Sequence, residues 1–200
     1  KLLLHCHAGC AFDQIIKAAG VEPTRTNGQD HGQRIVATYD YNNAHGDLVF
    51  QVVRFAPKDF RQRRSDGNGG WISKTKGVPK VLYRLQELIE DIANDHLILV
   101  VEGEKDCDAL RKIGVPATCN IEGAAKPGQR PKWKAEYSET LRGADIIIIP
   151  DHDDPGYAHA RAIAELSSGI AKSIRILNLV THWPECPKGG DVSDWLDAGH

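Results

Sequence analysis

The chain has 200 residues, a formal net charge of −2 and the apolar and charged content of an ordinary folded protein. That length allows one domain or two small ones. The nearly balanced charge excludes a uniformly basic nucleic-acid binder, and no apolar run is long enough to span a membrane.

Leu2-Leu3-Leu4 reads as a short strand entering a turn that carries Cys6 and Cys10. Asp13 then caps a short helix that runs to Ala19 and stops at Gly20. From residue 34 to 60 the apolar pattern has period two. Ile35, Ala37 and Tyr39 lie on one face of a first strand, and Val49, Gln51, Val53 and Phe55 form a second run. Residues 42–47, Asn-Asn-Ala-His-Gly-Asp, form the hairpin loop between them. The basic, then glycine-rich stretch from Phe60 to Gly70 reads as a loop, and Trp71-Ile72-Ser73 resumes a strand. Leu85, Leu88, Ile89 and Ile92 recur at helical spacing, which predicts a helix over 82–93.

Beyond Asn94-Asp95, where we place a domain boundary, strand and helix alternate. Strands are expected over 97–101, 115–120, 145–149 and 173–179, with helices over 106–113, 132–141 and 157–167 and a helical turn over 191–196. Alternating units of this kind imply an α/β fold, a mostly parallel sheet flanked by helices, preceded here by a smaller β-rich segment. The layout expected is 1–26, 27–95 and 96–200.

Two apolar runs end in acidic clusters. Leu97-Ile98-Leu99-Val100-Val101 leads into Glu102-Gly103-Glu104-Lys105-Asp106, and Ile146-Ile147-Ile148-Ile149-Pro150 leads into Asp151-His152-Asp153-Asp154-Pro155-Gly156. Unbroken apolar strands are those of a parallel sheet buried on both faces. Sites in such sheets form beyond the carboxyl ends of the strands. Carboxylates gathered there repel one another unless cations lie between them, and hard oxygen ligands suit Mg²⁺ or Mn²⁺. Asp151 and Asp153, two apart, share a side if the strand geometry continues through them.

The two clusters, in this order and strand context, resemble the paired motifs of the TOPRIM domain, shared by bacterial-type primases, topoisomerases and a class of nucleases. The likeness covers roughly the second half of the chain. The first half is similar to primases of the phage and plasmid primase–helicase type. Leu4 to Cys10 resembles the last strand of their zinc-binding domain, where Cys6 and Cys10 would be half of a zinc site completed only in the full-length protein. Tyr39-Asp40-Tyr41, Arg54-Phe55, Phe60 to Arg63, Gly70-Trp71 and Leu82 to Leu85 resemble the segment before TOPRIM, and Asp191 to Leu196 the acidic motif that closes it.

The resemblance implies a DNA primase core, a metal-dependent nucleotidyltransferase making short RNA primers on single-stranded DNA. Glu102, Asp151 and Asp153 would be catalytic metal ligands and Asp191 a further ligand. Asp106 would support the cluster or orient Lys105. Arg54, Arg61, Arg63, Arg84 and Lys105 would hold nucleoside triphosphates and template, with Arg54 and Arg84 facing the cleft. A replicative helicase, fused or bound, is a partner implied in the same way, and no membrane is involved. Two other readings use the same residues: cleavage of DNA by a TOPRIM nuclease or topoisomerase, and a non-catalytic single-stranded-DNA-binding module attached to a helicase.

Five scattered cysteines fit a reducing cytoplasm better than a disulfide framework. Cys107, Cys119 and Cys186 stand too far apart in sequence to complete the zinc site of Cys6 and Cys10. His152, between two acids, is expected to face solvent. The segment 68–75 lacks the two glycines a phosphate-binding P-loop requires, which excludes an ATPase motor. The chain contains no methionine and no signal peptide, so we expect a piece excised from a longer cytoplasmic protein.

Overall fold

In a computed structural model, residues 33–200 are described. The strand, the helix and the pair Cys6 and Cys10 expected before that point lie outside the described residues.

β1 (Arg34–Asn42) and β2 (Leu48–Ala56) pair antiparallel across the expected hairpin. The turn is closed by the Asn43 side chain, whose Oδ1 accepts the backbone N–H groups of His45 and Asp47 at 2.9 and 3.0 Å. β3 (Asp59–Ser65) follows on the other edge of β2, and β4 (Trp71–Ile72) pairs with its end, giving the order β1-β2-β3-β4. β3 corrects the loop expected from Phe60 onward. Strand pairing needs only backbone donors and acceptors, and the long arginine stems find aromatic rings to lie on. Arg61 sits 4.9 Å over Phe55, and Arg63 sits 4.0 Å over Trp71.

α1 (Leu85–Ala93) leads to the second sheet. There β5 (Ile98–Val100), α2 (Glu104–Lys112), β6 (Ala117–Thr118), α3 (Ala135–Thr140), β7 (Asp145–Ile148), α4 (Asp154–Ser167) and β8 (Ser173–Ile176) succeed one another. Two short helices close the chain, α5 (Leu179–His182) and α6 (Val192–Asp197). The four strands are parallel in the order β6-β5-β7-β8. This is an α/β fold, a parallel sheet flanked by helices with the smaller antiparallel sheet before it, as expected, and residues 34–200 form one compact unit.

Each buried strand feeds two cores. Ile98, Val100, Ile146 and Ile148 pack with Leu88, Trp133, Tyr137 and Ile163 on one face. Val101 and Ile149, with Cys107 and Leu110 of α2, pack on the other face with Tyr39, Tyr41, Phe50 and Tyr83. That second core joins the antiparallel sheet to the parallel one. Tyr41 stacks on Phe50 at 4.5 Å and donates its hydroxyl to Glu104 Oε1 at 2.8 Å. α2 stops where the sequence places its break, at Gly114, whose φ of +82° suits only glycine.

Candidate functional site

The strand order fixes where a site forms. After β5 the chain crosses to β6 on one side, and after β7 it crosses to β8 on the other. The connections leaving β5 and β7 therefore diverge, and a crevice opens between the two carboxyl ends. β5 and β7 are direct neighbours, with Val100 paired to Ile148. Glu102 follows the first and Asp151 the second.

Glycines let the backbone pass closely around these acids. A Cβ on Gly123, at φ +53°, would lie 2.9 Å from Glu102 Cγ, and one on Gly156 would lie 2.6 Å from the Asp151 carbonyl oxygen. Glu102 Oε1 accepts the Ala124 N–H at 3.2 Å, while its Oε2 is buried with no hydrogen-bond partner. Asp153 is the N-cap of α4, its Oδ1 accepting the Gly156 N–H at 2.7 Å. This corrects the strand alternation expected for Asp151 and Asp153: β7 ends at Ile148, and the backbone has already turned toward α4. Asp191 caps α6, where Oδ1 accepts the Asp194 N–H at 2.8 Å and Oδ2 accepts Lys105 Nζ at 2.7 Å. Asp106 is buried, and its Oδ1 accepts both the N–H and the hydroxyl of Ser193, at 3.1 and 2.6 Å.

The acids act on one another. Burial, then the charges of Glu102, Asp106, Asp191 and Asp153, push the Asp151 carboxyl up to about 8. Burial raises Asp106 to about 6, against the opposing Ser193 hydroxyl. Glu102 is raised by burial and by Asp153 and Asp106, although the Ala124 N–H favours its anion. Among the described residues no three His, Cys, Asp or Glu side chains are already gathered as a metal site. The donor set still fits a divalent cation of the Mg²⁺ or Mn²⁺ kind. It offers only hard oxygens, one of them buried and unsatisfied, and a carboxyl that burial and then the neighbouring negative charges push up, a cost that a cation would relieve.

Glu102, Asp106, Asp151 and Asp191, but not Asp153, line one side of a cleft of about 830 Å³ whose other side is the antiparallel sheet. Tyr39, Val52, Arg54, Lys58, Phe60, Arg61 and Gln62 line that side, opposite Glu102, Lys105, Asp106, Asp151 and Asp191. Of the expected phosphate-binding residues, Arg54 and Lys105 thus reach the cleft, whereas Arg61 only borders it: opposite Val53, on the same face as Arg63, its guanidinium lies over Phe55 and pairs with Asp59 at 2.9 Å. Arg63 does not line it: paired with Gln51 across the sheet, it donates to Gln51 Oε1 at 2.8 Å and covers Trp71. Arg84 does not face the cleft as expected. It is drawn to Asp108 at 2.7 Å and Glu87 at 3.2 Å. Tyr39, Tyr41 and Tyr83 are core residues, whereas Trp71 is exposed. His152 is half-buried rather than solvent-facing, its Nδ1 lying 3.1 Å from the carbonyl oxygens of Cys186 and Pro187.

Several site residues carry no local sequence signal. Gln62 Oε1 accepts Thr75 Oγ1 and Lys80 Nζ, and its Nε2 donates to Glu122 Oε1 at 2.6 Å. This ties the basic sheet to the turn that presses on Glu102. Ser193 holds Asp106 across 87 positions, and Glu104 holds Tyr41 across 63. Partners so distant become visible only once the chain is folded. The closeness of Gly123 to Glu102 could have been suspected, because a lone glycine beyond a strand end often marks close backbone approach.

No protein-family model and no curated protein matches this chain. Solved structures do. The Aquifex aeolicus primase (zinc-binding and RNA polymerase domains) superposes with a TM-score of 0.60 and 17% identity over 94% of this chain and 46% of that one. A DNA primase domain from Pseudomonas aeruginosa gives 0.58 and 21% over 93% and 55%. A DnaG primase catalytic domain solved with single-stranded DNA gives 0.57 and 21% over 93% and 56%. The chain spans about half the length of the structures it matches. At these identities the likeness is one of fold: the chain carries the fold of primase catalytic cores.

Proposed function

We propose that this chain is the catalytic part of a DNA primase, joining ribonucleotides into short primers on a single-stranded DNA template. The observation that carries the reading is the cleft. Carboxylates at the switch point of the parallel sheet lie on one side, and the cations Arg54 and Lys58 lie on the other. A polyphosphate entering this space meets fixed positive charge from the antiparallel sheet and surplus negative charge from the acids. A Mg²⁺ or Mn²⁺ held by the acids would supply charge neutralisation for the phosphates and ease ionisation of the attacking 3′-hydroxyl.

Glu102 and Asp151 would hold that ion, with Asp153 contributing the oxygen not used as a helix cap. Glu102 could also take the hydroxyl proton, since burial already raises its basicity. The 3′-hydroxyl attacks the α-phosphorus and pyrophosphate leaves, its charge met by Arg54 and Lys58. The same cations hold template phosphates without reading sequence. In this reading residues 27–95 carry the template-facing segment, residues 96–200 the chemistry, and Cys6 and Cys10 serve zinc in a longer protein. A helicase partner rests on the resemblance alone.

Ribonucleotides, Mg²⁺ and single-stranded DNA should yield short RNA with the natural chain and none with Asp151→Ala. Scission of the DNA would instead favour a nuclease. DNA binding with no product from either chain would favour a non-catalytic module.

A further inference from the structure

Among the acids of the cleft, Asp191 differs in one respect. Both of its oxygens are already occupied, Oδ1 by the Asp194 N–H that it caps and Oδ2 by Lys105 Nζ at 2.7 Å. Asp194 returns a bond to the Asp191 N–H, so the carboxylate sits in a closed capping box. Asp106 accepts the Ser193 N–H and hydroxyl, which pins the first turn of α6 against α2. Asp191 is therefore fixed in place, largely shielded from water, and paired with an ammonium from the opposite helix. Glu102 Oε2 is in the contrary condition, buried with no partner. A divalent ion can take Glu102 Oε2 and Asp151 without displacing a hydrogen-bond partner. To take Asp191 it must expel Lys105 or uncap α6.

We propose that the Lys105 ammonium stands at Asp191 as a built-in cation in place of a second divalent ion, so that the site binds one metal ion per chain and not two. This deepens the proposed function and rests on it. Lys105 is the second residue of α2 and lines the cleft beside Glu102 and Asp106. Its four-carbon stem lets the head shift without moving the helix. The ammonium is held in its charged form against partial burial by Asp191, Asp106 and Asp194. A lysine beside a metal ion gives the phosphates a second positive charge that chelators cannot remove. It also repels a further dication from Asp191.

The test is a count. Mn²⁺ is titrated into the whole chain and free Mn²⁺ is followed by electron paramagnetic resonance, with circular dichroism confirming that each variant is folded. The natural chain should bind one ion, and Lys105→Arg should bind one as well. Lys105→Met should bind a second ion, at least tenfold more tightly than any second ion on the natural chain. Adding Asp191→Asn, which still caps α6, to Lys105→Met should return the count to one. Two ions on the natural chain, or one ion on Lys105→Met, would overturn the proposal while leaving the metal reading intact. No ion on the natural chain would overturn both.

Discussion

Asp151→Asn should stabilise the protein without metal and destabilise it with metal. Without a divalent ion the folded chain holds the Asp151 carboxyl at about 8, against about 3.9 in the unfolded chain. A carboxyl raised on folding contributes stability at low pH, and that contribution is lost as pH rises from the unfolded value through the folded one. The window is therefore about pH 4 to pH 8. At 1.36 kcal/mol per unit, the loss at pH 7 has a ceiling of about 4 kcal/mol. The cleft is open to water, so screening reduces this to about 2 kcal/mol. Asparagine has nothing to ionise and escapes the loss. In EDTA at pH 7 to 8 its melting temperature should exceed that of the natural chain by about 4–8 °C, since 1 kcal/mol shifts a chain of this size by about 2–4 °C. At pH 4 the gap should close. Saturating Mg²⁺ should reverse the order, because an ion at a hundred times its dissociation constant adds about 2.7 kcal/mol to whichever chain binds it. Differential scanning calorimetry at three pH values, with and without Mg²⁺, reads all of this. A gap independent of pH, or a less stable variant in EDTA at pH 8, would refute the electrostatic argument.

Gly123→Ala should destabilise the fold by about 1–3 kcal/mol, because φ is +53° and the new Cβ meets Glu102; calorimetry would detect this, and a Mn²⁺ titration should show weakened binding. Asp106→Ala removes the acceptor of two Ser193 bonds and should cost about 1–3 kcal/mol. Hydrogen exchange should show protection lost first in α6. His159 is buried, donates Nε2–H to Asn120 Oδ1 at 2.9 Å and is pushed down to about 4 by burial. It should therefore withdraw up to about 3 kcal/mol of stability as pH falls from 6.5 to 4, a loss absent from the denaturation curves of His159→Gln. Arg54→Ala should weaken binding of oligothymidylate and flatten the logarithmic salt dependence by about 0.7 if it meets one phosphate of a single strand.

The parallel half of the fold was legible because its strands are unbroken apolar runs that only a doubly covered sheet can hide. Its helix ends were legible in Gly114 and Gly169. The start of α4 was misplaced by three residues because Asp153, read as a strand-side ligand, is the cap. β3 was invisible because its side chains, Arg61 to Arg64, are those of a loop. What makes it a strand is the free edge of β2 and the aromatic rings beneath the guanidiniums. The acidic positions could be read because each follows a strand end directly. Which arginines face the acids could not, since that depends on register: Arg54 stands opposite Phe60 on the cleft face, Arg63 opposite Gln51 on the other.

The most direct measurement is a crystal of this chain soaked with Mn²⁺ and a ribonucleoside triphosphate, with anomalous scattering recorded at the manganese edge. The account predicts a peak within coordination distance of Glu102 and Asp151, with the triphosphate reaching from it toward Arg54 and Lys58. A nucleotide bound in the cleft with no manganese between those two carboxylates would contradict it.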